Sequence, residues 1–354
     1  MLLLSGTEKA TWNRLGEDAV LRKSGPDEFN GAVRPNLLPF FRFFVATRHA
    51  AADNGDLADA WLQAGTMEEG DGLFMNTFLL GFLKRQGNRL IMPAIPFQDP
   101  RPFVHFSTVP NMQTARENFI KHCRHSLPRI GHPLKIMDIG CGNGQLLASL
   151  LLGLREEGTI DDIGEILLVD PSPAMVELAQ RTVGEHFPPS RIKTVNSRIQ
   201  DLTAKLDTRY DIALSSLAYH HMPMERKQTH MRRLREWIDH FILFELDANN
   251  DTPEMGSPDL AVAVYQCYGR VIDFVLSHDA PIDVALASVD SFLMTEAVSF
   301  FIQPRGVRTD YHMLRTQWYE LFTEQLGPEF TCLGNSTAYG DEYLDLFTIH
   351  FGHS

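Results

Sequence analysis

The sequence predicts an α/β protein: a mostly parallel sheet closed by an antiparallel hairpin, with helical sequence before it and inserted within it. Three observations carry this. Short apolar runs alternate with helix-length segments between residues 132 and 250, the rhythm of a parallel sheet. The first of these runs ends in "DIGCGNG", a turn with glycine at every second position. The chain finishes on "FTCLGNSTAY" and "YLDLFTIHFG", two strand-like runs joined by a short Gly-Asp turn.

The elements follow in order. Residues 1 to about 35 read as mixed sequence, with "KSGPDEFNGAVRPN" as turn and loop. Apolar residues then recur at helical spacing, and Phe40, Phe43, Phe44 and Ala51 suit one buried stripe. "DGLFMNTFLLGFLKRQG" reads as a second helix ended by Gly87, and "NRLIMPAIPFQDPRPFVHF" as a Pro-broken, extended connector. "MQTARENFIKHCRHSL" is a third helix with Ala115, Phe119 and Cys123 facing inward. Strands are expected at 135–139, 165–169, 192–196, 210–215 and 241–246, with helices at 144–156, 173–185 and 224–238. Mostly helical sequence then intervenes before the closing hairpin. The expected domains are a helical lid or dimerisation region over 1–130, a nucleotide-edge core over 131–250, a helical substrate cap over 251–328 and the core's hairpin over 329–354.

Composition excludes several classes. With 354 residues, 44% apolar and 22% charged, the chain can bury a sizeable core. A net charge of −13 is a poor match for a nucleic-acid backbone or an anionic membrane surface. Cys123, Cys141, Cys267 and Cys332 are far apart and form no CxxC pair, which argues against a zinc site and a disulfide scaffold. The start offers too short an apolar run for a signal peptide, and no run approaches the ~20 apolar residues of a membrane span. The expectation is a cytoplasmic protein without nucleic-acid or membrane partners.

The glycine stretch carries the chemistry. Gly140 permits an unusual backbone angle, and Gly142 keeps side chains out of a ligand's path. Asp170 ends the second strand, where a carboxylate can accept hydrogen bonds from ribose hydroxyls. Dinucleotides and S-adenosylmethionine (SAM) both fit such a unit. The spacing separates them: dinucleotide folds prefer G-x-G-x-x-G, whereas Gln145 stands at the sixth position here. Asp138, ahead of the glycines, would repel a pyrophosphate but suits the ammonium of a methionine moiety.

"IMDIGCGNG", "VDPSPAMVELA" and "YDIALSSLAYHHM" resemble successive motifs of class I SAM-dependent methyltransferases, closest to the ubiquinone/menaquinone C-methyltransferase-like and small-molecule groups. The resemblance covers about 132–250 and the last hairpin. It implies a Rossmann-like, seven-stranded sheet with a reversed last strand. It also implies that Asp138, Gly140, Gly142 and Gly144 surround the methionine part and ribose. Asp170 would bind the ribose diol, with Pro171 and Met175 near the adenine. Arg198 and Ile199 fall at the family's next adenine contact, with Asp201 as the alternative, and Ser216 at a later cofactor contact. Many O-methyltransferases carry a winged-helix dimerisation module, and "LLGFLKRQGNRLIMP" has the helix-then-hairpin look of a degenerate one.

Competing structural roles stand beside these. Asp170 could cap the helix after it, although Ser172 can do so equally well. His220 and His221 follow the fourth strand, as a general base or as a loop pair shaping the pocket. "ELDANND" offers oxygen ligands for magnesium, but reads more simply as a polar loop, and no metal is expected. Arg305, Arg308, Asp310, Tyr311 and His312 would line the substrate pocket or start a solvated helix. The reading is a SAM-dependent methyltransferase for a small-molecule acceptor, with the accepting atom open and a homodimer as the candidate assembly. Its rivals are a protein or RNA methyltransferase, a SAM-binding protein without methyl transfer, and a nicotinamide-dependent oxidoreductase.

Overall fold

The computed structural model describes residues 3–29, 31–70, 72–93 and 99–353. The first helices are α1 (Gly6–Arg22), α2 (Leu38–Ala51), α3 (Gly55–Thr66) and α4 (Met75–Arg85). Next come α5 (Arg101–Thr108), α6 (Pro110–Ser126), α7 (Gln145–Glu156), α8 (Pro173–Gly184), α9 (Ile199–Leu202) and α10 (Met224–Leu234). The last are α11 (Pro258–Leu276), α12 (Ile282–Ala287), α13 (Met294–Ile302) and α14 (Arg315–Leu326). The strands are β1 (Leu134–Ile139), β2 (Ile163–Asp170), β3 (Ile192–Asn196), β4 (Tyr210–Ser216), β5 (Ile238–Leu246), β6 (Phe330–Gly340) and β7 (Asp345–His353).

Two compact units divide the chain: a sheet unit of 97–247, 311–340 and 345–354, and a helical unit of 1–96, 248–310 and 341–344. In the sheet unit the strand order is β3-β2-β1-β4-β5-β7-β6. β1 to β5 run parallel, and β7 pairs antiparallel with both β5 and β6. This is the expected seven-stranded sheet with a reversed last strand. Strands covered on both faces read as unbroken apolar runs, which is why "EILLV" and "FILFEL" were legible; Ile166, Leu168, Ile242 and Phe244 are fully buried. Edge strand β6 instead alternates exposed and half-buried residues over "TCLGNST".

The unit boundaries differ from those the sequence suggests. α5 and α6 belong with the sheet rather than with the N-terminal helices. Phe119 on α6 packs its ring 5.3 Å from that of Phe244, and Asn118 donates to the Ala338 carbonyl at 2.8 Å. α14 also belongs to the sheet unit, with Phe322 against Phe241 and Phe351. The stretch 248–310 forms one unit with the N-terminal helices, through Tyr265 against Phe40 and Phe43 and through Phe301 against Phe43.

Several local expectations are corrected. α1 lies in the stretch read only as mixed sequence; Ser5 and Glu8 form a capping box and Trp12, Leu15 and Ala19 are buried. Residues 101–108 are helical, with proline in the first turn, where its missing N–H is harmless; residues 94–98 of that connector lie outside the described set. Ala51 is exposed, at the end of a helix otherwise buried nearly all round. Residues 89–93 form no hairpin strand. Contrary to expectation, the continuous helix Ile282–Ile302 is long and apolar enough, by length and composition, to cross a membrane, and 56% of its apolar window is buried within the protein. Met294, Val298 and Phe300 are fully buried, the use expected of a core helix.

Candidate cofactor and active site

The carboxyl ends of β1, β2, β4 and β5 lie along one edge of the sheet, and the strand order reverses between β1 and β4. Ligand sites of open α/β sheets form at that place. Gly140, Gly142 and Gly144 have φ values of 79°, 51° and 73°, in the region that side chains disfavour. A Cβ on Gly140 would stand 2.3 Å from the Ala218 methyl, and one on Gly142 2.9 Å from the Phe103 ring. The turn thus has no room for side chains, and its backbone is the surface it offers.

Asp138, at the end of β1, is buried, and its Oδ1 has no hydrogen-bond partner among the described residues. Burial, reinforced by the charge of Asp170, raises its pKa to about 7 against the pull of Arg116. Arg116, on α6, is also buried; burial lowers its pKa to about 10, opposed by Asp138, and its Nε is unpartnered among the described residues. A buried carboxylate and a buried guanidinium, each with an open hydrogen-bonding position, match the ammonium and carboxylate of an amino-acid moiety. Sequence reasoning missed Arg116, because a single arginine on an amphipathic helix carries no signature.

Asp170 Oδ2 accepts from the Gly142 N–H at 3.2 Å, and Oδ1 from the Ser172 N–H at 2.8 Å. Ser172 itself caps α8, its hydroxyl accepting from the Met175 N–H. Asp170 therefore braces the glycine turn and is not the helix cap. Burial pushes its carboxyl up despite those two donors and the nearby His221. Pro171 is exposed and Met175 buried. Ile199 is buried at the start of α9, Arg198 and Asp201 are exposed, and Ser216 is half-buried at the end of β4. Leu217, next in the chain, has a φ of 49°, a strained angle of the kind that clusters at functional sites.

Beyond β4, the His220 Nδ1 lies 2.9 Å from Glu245 Oε2, and its backbone N–H donates to Oε1 at 3.3 Å. Glu245, near the end of β5, is fully buried. Burial alone would raise its carboxyl, but His220, His312 and Lys227 outweigh that and hold it at about 2. His312 stacks on His220 with ring centroids 4.1 Å apart, and its Nδ1 is 4.0 Å from Glu245. Lys227, fully buried on α10, donates to the Tyr311 carbonyl and lies 4.5 Å from the Trp318 ring centre. The Tyr311 N–H donates to the His220 carbonyl at 2.6 Å. His221 is exposed, its ring 4.3 Å from that of His220.

The residues expected around the substrate divide between units. Tyr311 and His312 belong to the sheet unit, Arg308 and Asp310 to the helical unit. The Arg308 guanidinium donates to the carbonyls of Gln303, Asn250 and Pro253, so it fastens a loop. Arg305 pairs with Asp251. Asp247 accepts from the Arg315 N–H and Glu245 holds His220, so the oxygens of "ELDANND" serve separate partners.

Residues 136–240 match the family model described as a methyltransferase domain. The sheet unit carries a methyltransferase domain, and SAM is the cofactor that its glycine turn and acids fit. No curated protein matches the chain. Among solved structures, SCL7 from Oryza sativa is similar at 15% identity and a TM-score of 0.60, over 90% of this chain and all of that one; this likeness concerns fold alone. Magnesium protoporphyrin IX methyltransferase from Synechocystis PCC 6803 matches at 14% identity and a TM-score of 0.40, over 69% of this chain and 84% of that one. The cyclopropane synthase MmaA2 from Mycobacterium tuberculosis matches at 11% and 0.40, over 68% and 84%.

Proposed function

We propose that this protein transfers the methyl group of SAM to a hydroxyl or amine of a small molecule, with His220 as the base and Glu245 as the group that orients it. The observation that carries this reading is the buried His220–Glu245 pair beyond the strands whose neighbour, β1, leads into the glycine turn. Asp138 and Arg116 hold the ammonium and carboxylate of the methionine end, and Asp170 takes the ribose diol. Pro171, Met175, Arg198, Ile199 and Ser216 complete the cofactor contacts.

Bound SAM supplies a methyl group on a leaving group already activated by its positive sulfur. The protein's task is then to hold the acceptor in line and exclude water. A carboxylate at Glu245 accepts the His220 Nδ1–H and so fixes the ring and its tautomer, with Nε2 as the nitrogen that acts as base. That nitrogen takes the acceptor's proton as the new bond forms. His312, stacked on His220, and Tyr311 line the acceptor side. Carbon acceptors, the chemistry of the ubiquinone-type subgroup, are disfavoured by this dyad, since an imidazole base suits an O–H or N–H proton better. The same reading places the protein in the cytoplasm, without nucleic-acid or membrane partners, and leaves the N-terminal helices available for dimerisation.

The experiment is a screen of hydroxyl- and amine-bearing metabolites with methyl-labelled SAM. Label should pass to an acceptor with the parent protein and pass far more slowly with His220→Ala. Equal transfer by both would remove the histidine from the mechanism. Formation of S-adenosylhomocysteine with C-methylated product would overturn the choice of acceptor atom.

A further inference from the structure

The helical unit contains a cavity of about 520 Å³ lined by Pro39, Phe40, Glu68, Tyr265, Glu342 and Tyr343, together with shorter wall residues. All of these belong to that one unit. Volumes of this size suit small-molecule ligands. We propose that it is a binding site for a small organic cation, an ammonium carried on an apolar body, and that it is distinct from the SAM site.

Three features of the wall support this chemistry. The rings of Phe40 and Tyr265 pack with centroids 4.3 Å apart, and with Tyr343 they give three aromatic side chains around one space. Aromatic faces attract cations, ammonium groups above all. The acids on the wall, Glu68 and Glu342, are carboxylates, and no cationic side chain is among the described residues that line the cavity. Glu68 does pair with Arg42 at 2.8 Å, but Glu69, directly behind Tyr265, adds a further acid that accepts from the Tyr265 hydroxyl at 3.0 Å. These acids disfavour an anionic ligand.

The wall is also held in place before any ligand arrives. Tyr343 and Leu344 donate their backbone N–H groups to Asp341 Oδ1, each at 2.9 Å, and Arg270 binds Asp341 Oδ2 at 2.8 Å. The opposite side is fixed by Glu69, which also accepts from Asn76 and Thr77. A preorganised wall loses less freedom on binding than one that must be assembled. The inference does not depend on methyl transfer, since none of these residues takes part in the proposed reaction.

The test is calorimetric titration of the full chain with benzyltrimethylammonium and, separately, with benzyl alcohol as a neutral control. Tyr343→Leu and Glu342→Gln are the variants, because both positions are at least partly exposed and tolerate change without core damage. The expected result is saturable binding of the cation, about tenfold or more tighter than the alcohol. Tyr343→Leu should weaken it about fivefold and Glu342→Gln about threefold, the scale of a lost cation–aromatic contact or a lost charge at a partly desolvated site. Thermal melting of both variants should match the parent. No saturable binding of the cation, equal binding of cation and alcohol, or parent-like binding by both variants would overturn the proposal.

Discussion

In the proposed reaction Asp138 binds the cofactor and His220 is the base, and each role makes a distinct demand on solution behaviour. A carboxyl raised to about 7 by burial and by Asp170 is largely protonated below that pH. If it binds the cofactor's ammonium as a carboxylate, SAM affinity should climb as pH rises toward 7, by up to about tenfold per unit, and level off above. Calorimetry between pH 5.5 and 8.5 would read this, and Asp138→Asn should flatten the curve; a flat curve in the parent would remove Asp138 from ammonium binding. His220→Ala should lower kcat by ~10²–10⁴, the scale of a lost general base, with SAM affinity nearly unchanged. Glu245→Gln should lower kcat less, by roughly 10- to 100-fold, because the ring loses its orientation but keeps its lone pair. Should His221→Ala alone lose activity, the role passes to the exposed neighbour.

At the scale of elements, the hairpin that closes the sheet contains a pH-sensitive seam. His350 on β7 is fully buried between His240 on β5, 3.0 Å away, and Ser126 on α6, at 2.8 Å. Burial, then the charges of His240 and His122, lower its pKa to about 3. A histidine whose folded pKa is depressed favours the neutral form. Its contribution is therefore complete above the unfolded value of about 6.5 and is lost as pH falls from there toward 3. Melting temperature should fall on acidification from pH 6.5 to pH 4.5, and His350→Gln should make that fall shallower, by up to about 1.4 kcal/mol of stability per pH unit. Identical slopes for parent and variant would place the acid sensitivity elsewhere, His230 and His49 being the other buried candidates. These elements also show what sequence can and cannot tell. β2 and β5 were legible because a strand buried on both faces has no choice but to be apolar. α1 was legible in principle, through Ser5 and Glu8, but its weakly amphipathic surface hid it. α5 was hidden by a proline that sits harmlessly in its first turn. The pairing of His220 with Glu245 lay beyond any local pattern, because twenty-five positions separate them and only the β4–β5 pairing brings them together.

At the scale of the whole molecule, the methyltransferase domain occupies the sheet unit, and a helical unit is built from three separate stretches of chain. The glycine turn and Asp170 were legible because a cofactor site at a strand–turn–helix junction must be local in sequence. Arg116 was not assigned its place, because α6 reaches the sheet edge only through the fold. Calorimetric titration of the full chain with S-adenosylhomocysteine and with NAD tests SAM binding by the sheet unit most directly. Saturable binding of S-adenosylhomocysteine is expected at ~7–8 kcal/mol, micromolar affinity, weakened by about 1.5–3 kcal/mol in a folded Asp170→Ala variant that loses hydrogen bonds to a charged group, with no binding of NAD. Binding of NAD without binding of S-adenosylhomocysteine would contradict it.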